Sequence, residues 1–275
     1  MTPQVAEYRR LHESGCFVMP NPWDIGSARL LVNLGFRAVA TTSAGFAWSV
    51  GRRDTEISLE VALAHLRAIS GSVDVPVNAD FEDGFAKEPE AVAANVSAAA
   101  ATGIAGLSIE DSTGSKQAPL YEFDLAVERI KAARRAIDQS GTGVLLTGRS
   151  EGFIAGRPDI DETIKRLVAY ADAGADCLYA PGVRSAADVS AIVRAVTPKP
   201  VNVLVGGDYF TVGQLSDLGV RRISVGGALA RAAWTAFLTA AKEIADHGTF
   251  TALSRTIPVP ELNALFSGIG RHGAC

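Results

Sequence analysis

Three carboxylates fall within four residues in Asp80-Phe81-Glu82-Asp83, and Gly84 follows them. The apolar run Val75-Pro76-Val77 ahead of them reads as a buried β-strand. Acids crowded at the end of a buried strand repel one another unless something positive sits among them. A hard cation held by oxygen ligands supplies that charge. A solvated acidic loop accounts for this stretch taken alone, but the pattern of an apolar run ending in polar groups recurs down the chain.

Asn21, Trp23 and Asp24 follow the first such run. Thr41-Thr42-Ser43-Ala44-Gly45 ends the second, with Asp54 on the loop beyond. Asn78 precedes Asp80 on the third, and Glu110 and Asp111 end the fourth. Arg149 and Glu151 end the fifth and Tyr179 the sixth. Asn202 lies on the seventh, before Gly206-Gly207, and Gly226-Gly227 ends the eighth. Carboxylate and amide oxygens dominate this set, which suits Mg2+ or Mn2+. Zinc usually takes His or Cys ligands, and His12, His65, His247 and His272 all fall elsewhere. Asp24, Asp83 and Asp111 suit helix N-caps or the surface as well as a site. Arg149 fits either a structural ion pair or a two-pronged clamp on a substrate carboxylate. The run from Thr41 to Gly45 reads as a turn whose backbone N–H groups receive an oxyanion, or as an ordinary tight loop. The glycine pairs suit a phosphate site or plain turns.

The elements that must position these residues alternate. Strands are expected at 17–20, 38–42, 76–80, 106–110, 144–149, 177–180, 201–205 and 223–226. Between them lie alanine-rich amphipathic segments, among them 58–69, 89–101, 124–137, 160–173 and 186–196. Such alternation implies parallel strands with crossover helices. Gly35, Gly103, Gly174 and Gly219 each stand between a helical segment and a strand, where a left-handed residue ends a helix. Eight such units, with no G-x-G-x-x-G after the first strand, favour a (β/α)8 TIM-type barrel over an open doubly wound sheet. The barrel is expected over residues 1–247. Residues 248–275 form a C-terminal helical extension that packs on the barrel or on a neighbouring subunit.

Composition narrows the function classes. The chain has 275 residues, 48% of them hydrophobic, and a formal net charge of −4. That length suits one α/β barrel. No basic cluster is present, which argues against nucleic acid as a partner. No apolar run reaches the length of a membrane span, and the first ten residues lack a signal-peptide core. Cys16, Cys177 and Cys275 are odd in number and scattered, as expected of a reduced cytoplasmic protein.

Together, Asn21-Pro22-Trp23-Asp24, Thr41 to Gly45 with Gly51-Arg52-Arg53-Asp54, Asn78-Ala79-Asp80, Ile109-Glu110-Asp111 and Gly148-Arg149-Ser150-Glu151 resemble the isocitrate lyase/phosphoenolpyruvate mutase superfamily. The resemblance runs over nearly the whole chain. It implies a Mg2+-dependent barrel acting on α-oxo acids or their enolates. By position it implies that Asp80 belongs to the metal cluster, with Asp54 and Glu110 holding metal-bound waters. Arg149 matches the arginine on the substrate's carboxylate or oxo group. Thr42, Ser43 and Ala44 match the loop that receives its other end, and Trp23, Asp24, Tyr179 and Asn202 complete the expected substrate contacts. It further implies a homodimer or homotetramer in which subunits exchange their last barrel helix.

Three departures stand out. Asn78 occupies a position where many members place a metal-binding aspartate, so the site has a neutral oxygen there and a lower metal affinity unless Glu82 compensates. The Phe81-Glu82-Asp83-Gly84 turn is longer than the usual Asp-x-Gly-Tyr-Gly. The lyases of isocitrate and methylisocitrate carry Lys-x-Cys-Gly-His after the fourth strand, whereas this chain has Ser112-Thr113-Gly114-Ser115-Lys116-Gln117-Ala118-Pro119-Leu120. That argues against either of those two activities, and the polar loop reads as a lid. The expectation is a lyase or decarboxylase cleaving a C–C bond in a small α-oxo or 2-hydroxy acid through an enolate. The alternatives are a phosphonomutase or phosphonopyruvate hydrolase working on a C–P bond, and an oxo-acid-binding protein with little catalysis.

Overall fold

The computed structural model describes residues 1–267, so His272 and Cys275 lie outside the described residues. The strands are β1 (Phe17–Met19), β2 (Val39–Ala40), β3 (Val77–Ala79), β4 (Gly106–Glu110), β5 (Leu145–Arg149), β6 (Cys177–Tyr179), β7 (Val201–Leu204) and β8 (Arg222–Ser224). All lie within one or two residues of the expected runs. They pair in parallel in the order β1-β8-β7-β6-β5-β4-β3-β2. The Ala40 N–H donates to the Pro20 carbonyl at 3.0 Å, bringing the ends of β1 and β2 together and all but closing the ring.

The helices are α1 (Pro3–Glu13), α2 (Ile25–Asn33), α3 (Ser43–Ser49), α4 (Leu59–Ser70), α5 (Pro89–Ala100) and α6 (Phe123–Ser140), then α7 (Ile160–Asp172), α8 (Ala186–Val196), α9 (Val212–Asp217), α10 (Ala228–His247) and α11 (Val259–Leu265). Their buried stripes pack on the outside of the ring, as with Val92, Val96 and Ala99 of α5. Gly35, Gly103, Gly174 and Gly219 all have φ between 86° and 103°. Each turns the chain from a helix toward the next strand, in a region that a Cβ disfavours.

Helix α1 closes the end of the barrel opposite the strand C-termini. Tyr8 of α1 is fully buried, and a Cβ at Gly106 would lie 2.5 Å from its ring. Glycine at position 106 therefore makes room for a tyrosine plug.

At the mouth, the run from Thr41 to Gly45 is the start of a helix. Thr42 is the N-cap of α3, and its hydroxyl accepts from the Gly45 N–H. The end of the chain departs from the compact pattern. Helix α10 has 20 residues but buries only Ala230. Phe237 is 59% exposed, Phe250 62% and Val259 70%. The Asn33 side chain donates to the Leu265 carbonyl, which ties α11 to the end of α2.

Candidate active site

Arg149 is the last residue of β5, and its guanidinium gathers carboxylates from three strands. Nη1 lies 2.9 Å from Asp80 Oδ1 and 3.0 Å from Glu110 Oε2. Nε donates to Glu151. Burial opposes the charge on Arg149, but Glu110, Glu151 and Asp80 more than offset it and hold its pKa above the usual arginine value. The Tyr179 ring lies 5.2 Å from the guanidinium carbon.

Asp80 is held from several sides. Its Oδ2 accepts from the Ser43 N–H and from Ser43 Oγ, both at 2.9 Å. Its own N–H donates to Thr41 Oγ1 at 2.9 Å. The Ser43 groups read as an oxyanion receptor are thus directed onto Asp80. Asp54 lines the same cavity. Burial, then the neighbouring Asp80, raises its carboxyl above the ordinary range.

Glu82 has φ of 47°, a left-handed conformation that strains a residue bearing a Cβ. Burial, followed by repulsion from Asp80, Asp54 and Asp83, pushes its carboxyl up to about 8. Glu110 is raised well above its normal value by burial, against the pull of Arg149. Glu151 is also raised by burial. Five carboxylates thus face one guanidinium, and burial and like-charge repulsion resist full ionisation.

One cavity of about 170 Å3 at the strand ends is lined by Thr42, Ser43, Ala44, Asp54, Asn78, Asp80, Arg149, Tyr179 and Asn202. These residues come from six separate stretches of chain, and the barrel brings them together. A wider cavity of about 620 Å3 opens between residues 117–122 and α7. It lacks Asp80 and Arg149 and is separate from the cavity that holds them.

Other expected site residues stand apart. Trp23 and Asp24 lie along a groove with Ile25, Phe46 and His65, outside the cavity of Asp80. Asp24 is the N-cap of α2, accepting from the Ser27 N–H at 2.6 Å; the alternative reading as a cap describes it. Asn78 turns toward the barrel floor, where its Oδ1 accepts from Tyr8 OH at 3.1 Å. Asp83 accepts from Tyr121 OH at 2.8 Å. Asp111 is neither a cap nor on the surface. It is buried and accepts from the Glu151 N–H at 2.8 Å and from Tyr170 OH at 2.7 Å, which fixes the turn after Arg149.

The glycine pairs offer little to a phosphate. The Gly206 N–H donates to Tyr209 OH at 2.8 Å, and the Val225 and Gly226 N–H groups both donate to Asn21 Oδ1. Asn21 thereby locks the end of β8 to the end of β1. Residues 112–120 form a short hairpin closed by a bridge between Ser112 and Leu120, with Lys116 exposed at its tip. Sequence reading passed over Arg222, a buried arginine on the cavity floor. The available signal was a charged residue directly ahead of the strand run Ile223-Ser224-Val225.

Among the described residues no three His, Cys, Asp or Glu side chains are gathered into a cage able to hold a metal alone. Arg149 Nη1 instead occupies the space between Asp80 and Glu110. The donor set is nonetheless all oxygen, and Mg2+ typically uses one or two protein carboxylates with waters and substrate completing its shell. Asp80, backed by Asp54, Glu82 and Glu110, fits that mode of binding.

Residues 8–245 match the family model described as phosphoenolpyruvate phosphomutase. A structure from Burkholderia cenocepacia J2315, solved as a candidate lyase/mutase, is 47% identical with a TM-score of 0.93 and covers 96% of both chains. A probable 2-methylisocitrate lyase of Corynebacterium glutamicum is 29% identical over 85% of this chain and 78% of its own length. An oxaloacetate decarboxylase of Bradyrhizobium diazoefficiens is 28% identical over 92% of this chain and 85% of its own.

Proposed function

Because this chain belongs to the phosphoenolpyruvate phosphomutase family, within the isocitrate lyase/phosphoenolpyruvate mutase superfamily of lyases and mutases, we propose that it is a Mg2+-dependent carbon–carbon lyase or decarboxylase. Its substrate is a small α-oxo or 2-hydroxy carboxylic acid, cleaved through an enolate. The observation that carries this reading is the crowding of Asp54, Asp80, Glu82, Glu110 and Glu151 about the Arg149 guanidinium. Such a set is poised for a second positive charge and for an anion bridging the two.

Asp80 would hold the metal, with Asp54, Glu82 and Glu110 around it. When bound, Mg2+ supplies positive charge to the oxo and carboxylate oxygens of the substrate as negative charge builds on them. Mn2+ fits the same oxygen donors. Arg149 clamps the substrate carboxylate with its planar fork, and Glu110 and Glu151 hold that fork in place. Ser43 keeps Asp80 oriented through two hydrogen bonds. Tyr179 and Asn202 line the wall beside Arg149. The 112–120 hairpin closes over the mouth and excludes water. It has no cysteine to act as an acid or base, so the C–C bond broken differs from that of isocitrate or methylisocitrate. The relative that acts as an oxaloacetate decarboxylase favours a 2-oxo diacid.

Turnover tests the reading. A panel of 2-oxo acids and 2-hydroxy di- and tricarboxylates is offered to the full chain with Mg2+, and pyruvate and glyoxylate release is followed. Release that stops on adding EDTA supports the proposal; no release from any member counts against it.

A further inference from the structure

The cavity reaches below the carboxylate cluster to a second guanidinium. Arg222 is 1% exposed and lines the floor of the same cavity as Arg149. It is the first residue of β8, whereas Arg149 is the last of β5. Paired strands connect the two, with Arg149 opposite Tyr179, Tyr179 opposite Asn202, and Asn202 opposite Arg222. Residues opposite one another on neighbouring strands share a face. This row therefore faces the barrel interior and descends from mouth to floor.

The partners of Arg222 are all neutral. Nε donates to Asn202 Oδ1 at 3.0 Å, Nη1 to Tyr8 OH at 2.8 Å, and Nη2 to Thr147 Oγ1 at 3.0 Å. Nη1 also lies 3.3 Å from His12 Nε2. These contacts use four of the five N–H donors of a guanidinium. The nearby Asn78 could have compensated as an aspartate, but it is an amide. It accepts from Tyr8 OH, which in turn accepts from Arg222. Burying a guanidinium among neutral groups is unfavourable unless an anion joins it.

We propose that Arg222 is an anion subsite on the floor of the cavity, and that it receives a second carboxylate of the substrate while the oxo-acid end lies at Arg149. The substrate half of this inference rests on the oxo-acid reading above; the anion subsite does not. Asn78 then sets specificity, since its neutrality leaves the Arg222 charge available.

The test uses small anions on the EDTA-treated full chain, with neither metal nor turnover. Crystals soaked in bromide are read by anomalous diffraction. A peak in the cavity within about 3.5 Å of Arg222 Nη2 is expected, and its absence overturns the subsite. In solution, formate is titrated at constant ionic strength against the thermal midpoint. Arg222→Gln is expected to weaken the apparent formate affinity roughly tenfold or more, as for loss of a charge-assisted hydrogen bond. If that variant fails to fold, Asn78→Asp replaces it, and its added carboxylate is expected to weaken formate to a similar degree. Unchanged formate affinity in the folded variant overturns the proposal. A failed anion test removes the subsite and leaves the lyase reading standing. A bromide-filled floor with no turnover of any oxo acid removes the lyase reading and leaves the subsite.

Discussion

Arg149 Nη1 and Asp80 Oδ1 lie 2.9 Å apart although 69 residues separate them in the chain. One ends β5 and the other follows β3, and the side-by-side order β3-β4-β5 brings them together. Breaking such a pair from one side leaves a buried charge uncompensated, at a cost of about 3–5 kcal/mol. Arg149→Ala is therefore a poor probe of function. Arg149→Lys keeps the charge but loses the planar fork. We expect it to retain the fold by circular dichroism while catalytic efficiency falls by roughly 100-fold or more, about 2.7 kcal/mol of transition-state stabilisation. Efficiency within a few-fold of the parent on the identified substrate would refute the clamp.

Asp80 is the expected centre of the metal site. A Mn2+ soak should give an anomalous peak within coordination distance of an Asp80 oxygen, about 2.0–2.3 Å. Asp80→Asn should weaken or abolish that peak. A peak elsewhere, or none, would remove Asp80 from this role.

The exposed apolar residues of the last two helices and of the segment between them make a prediction about assembly. Phe237, Leu238, Phe250, Leu262 and Leu265 are all exposed in a single chain, and α10 buries almost nothing against its own barrel. Exposed apolar surface of that extent marks an interface. Light scattering at micromolar concentration should return a dimer or a dimer of dimers. A monomer would defeat the prediction. A chain truncated after His247 that keeps the parent assembly would assign the contact to α10 alone.

His12 gives a pH prediction under the barrel floor. Its Nδ1 donates to the Tyr8 carbonyl at 2.7 Å, and its Nε2 faces Arg222. Burial, and then the Arg222 charge, lower its pKa to about 3. An unfolded histidine titrates near 6.5. Between pH 6.5 and 3 the unfolded chain binds a proton that the folded chain refuses, so stability falls as pH drops through that window. The slope is about 1.4 kcal/mol per pH unit. Denaturant unfolding of His12→Gln should lack this share, narrowing the gap to the parent by about 2–3 kcal/mol between pH 6.5 and 4.5. Parallel curves for the two proteins would contradict it.

Most of the architecture was legible because strand–helix alternation and glycine punctuation are local signals. All eight strands sit where apolar runs begin, and Gly35, Gly103, Gly174 and Gly219 adopt the left-handed conformation expected of them. The carboxylate cluster was legible for the same reason, since Asp80 and Glu110 follow or end apolar strands. What escaped depends on side-chain direction. Thr41 to Gly45 looked like a loop because seven residues carry too little periodicity to announce α3. Asn78 stands two residues before Asp80 and shares its face of the strand, and only the tyrosine plug in α1 explains why its oxygen turns to the floor. Arg222 needs partners from α1, β5 and β7, and no spacing in the sequence links them.

Carbon–carbon cleavage of an oxo acid can be tested in one incubation. The full chain with Mg2+ is given oxaloacetate and phosphonopyruvate together, and the mixture is followed by carbon and phosphorus NMR against an enzyme-free control. Pyruvate is expected to appear faster than in the control while the phosphonate phosphorus resonance stays unchanged. A phosphonate resonance that converts to phosphate or phosphate ester, with oxaloacetate lost only at the control rate, would contradict it and turn the site to C–P chemistry.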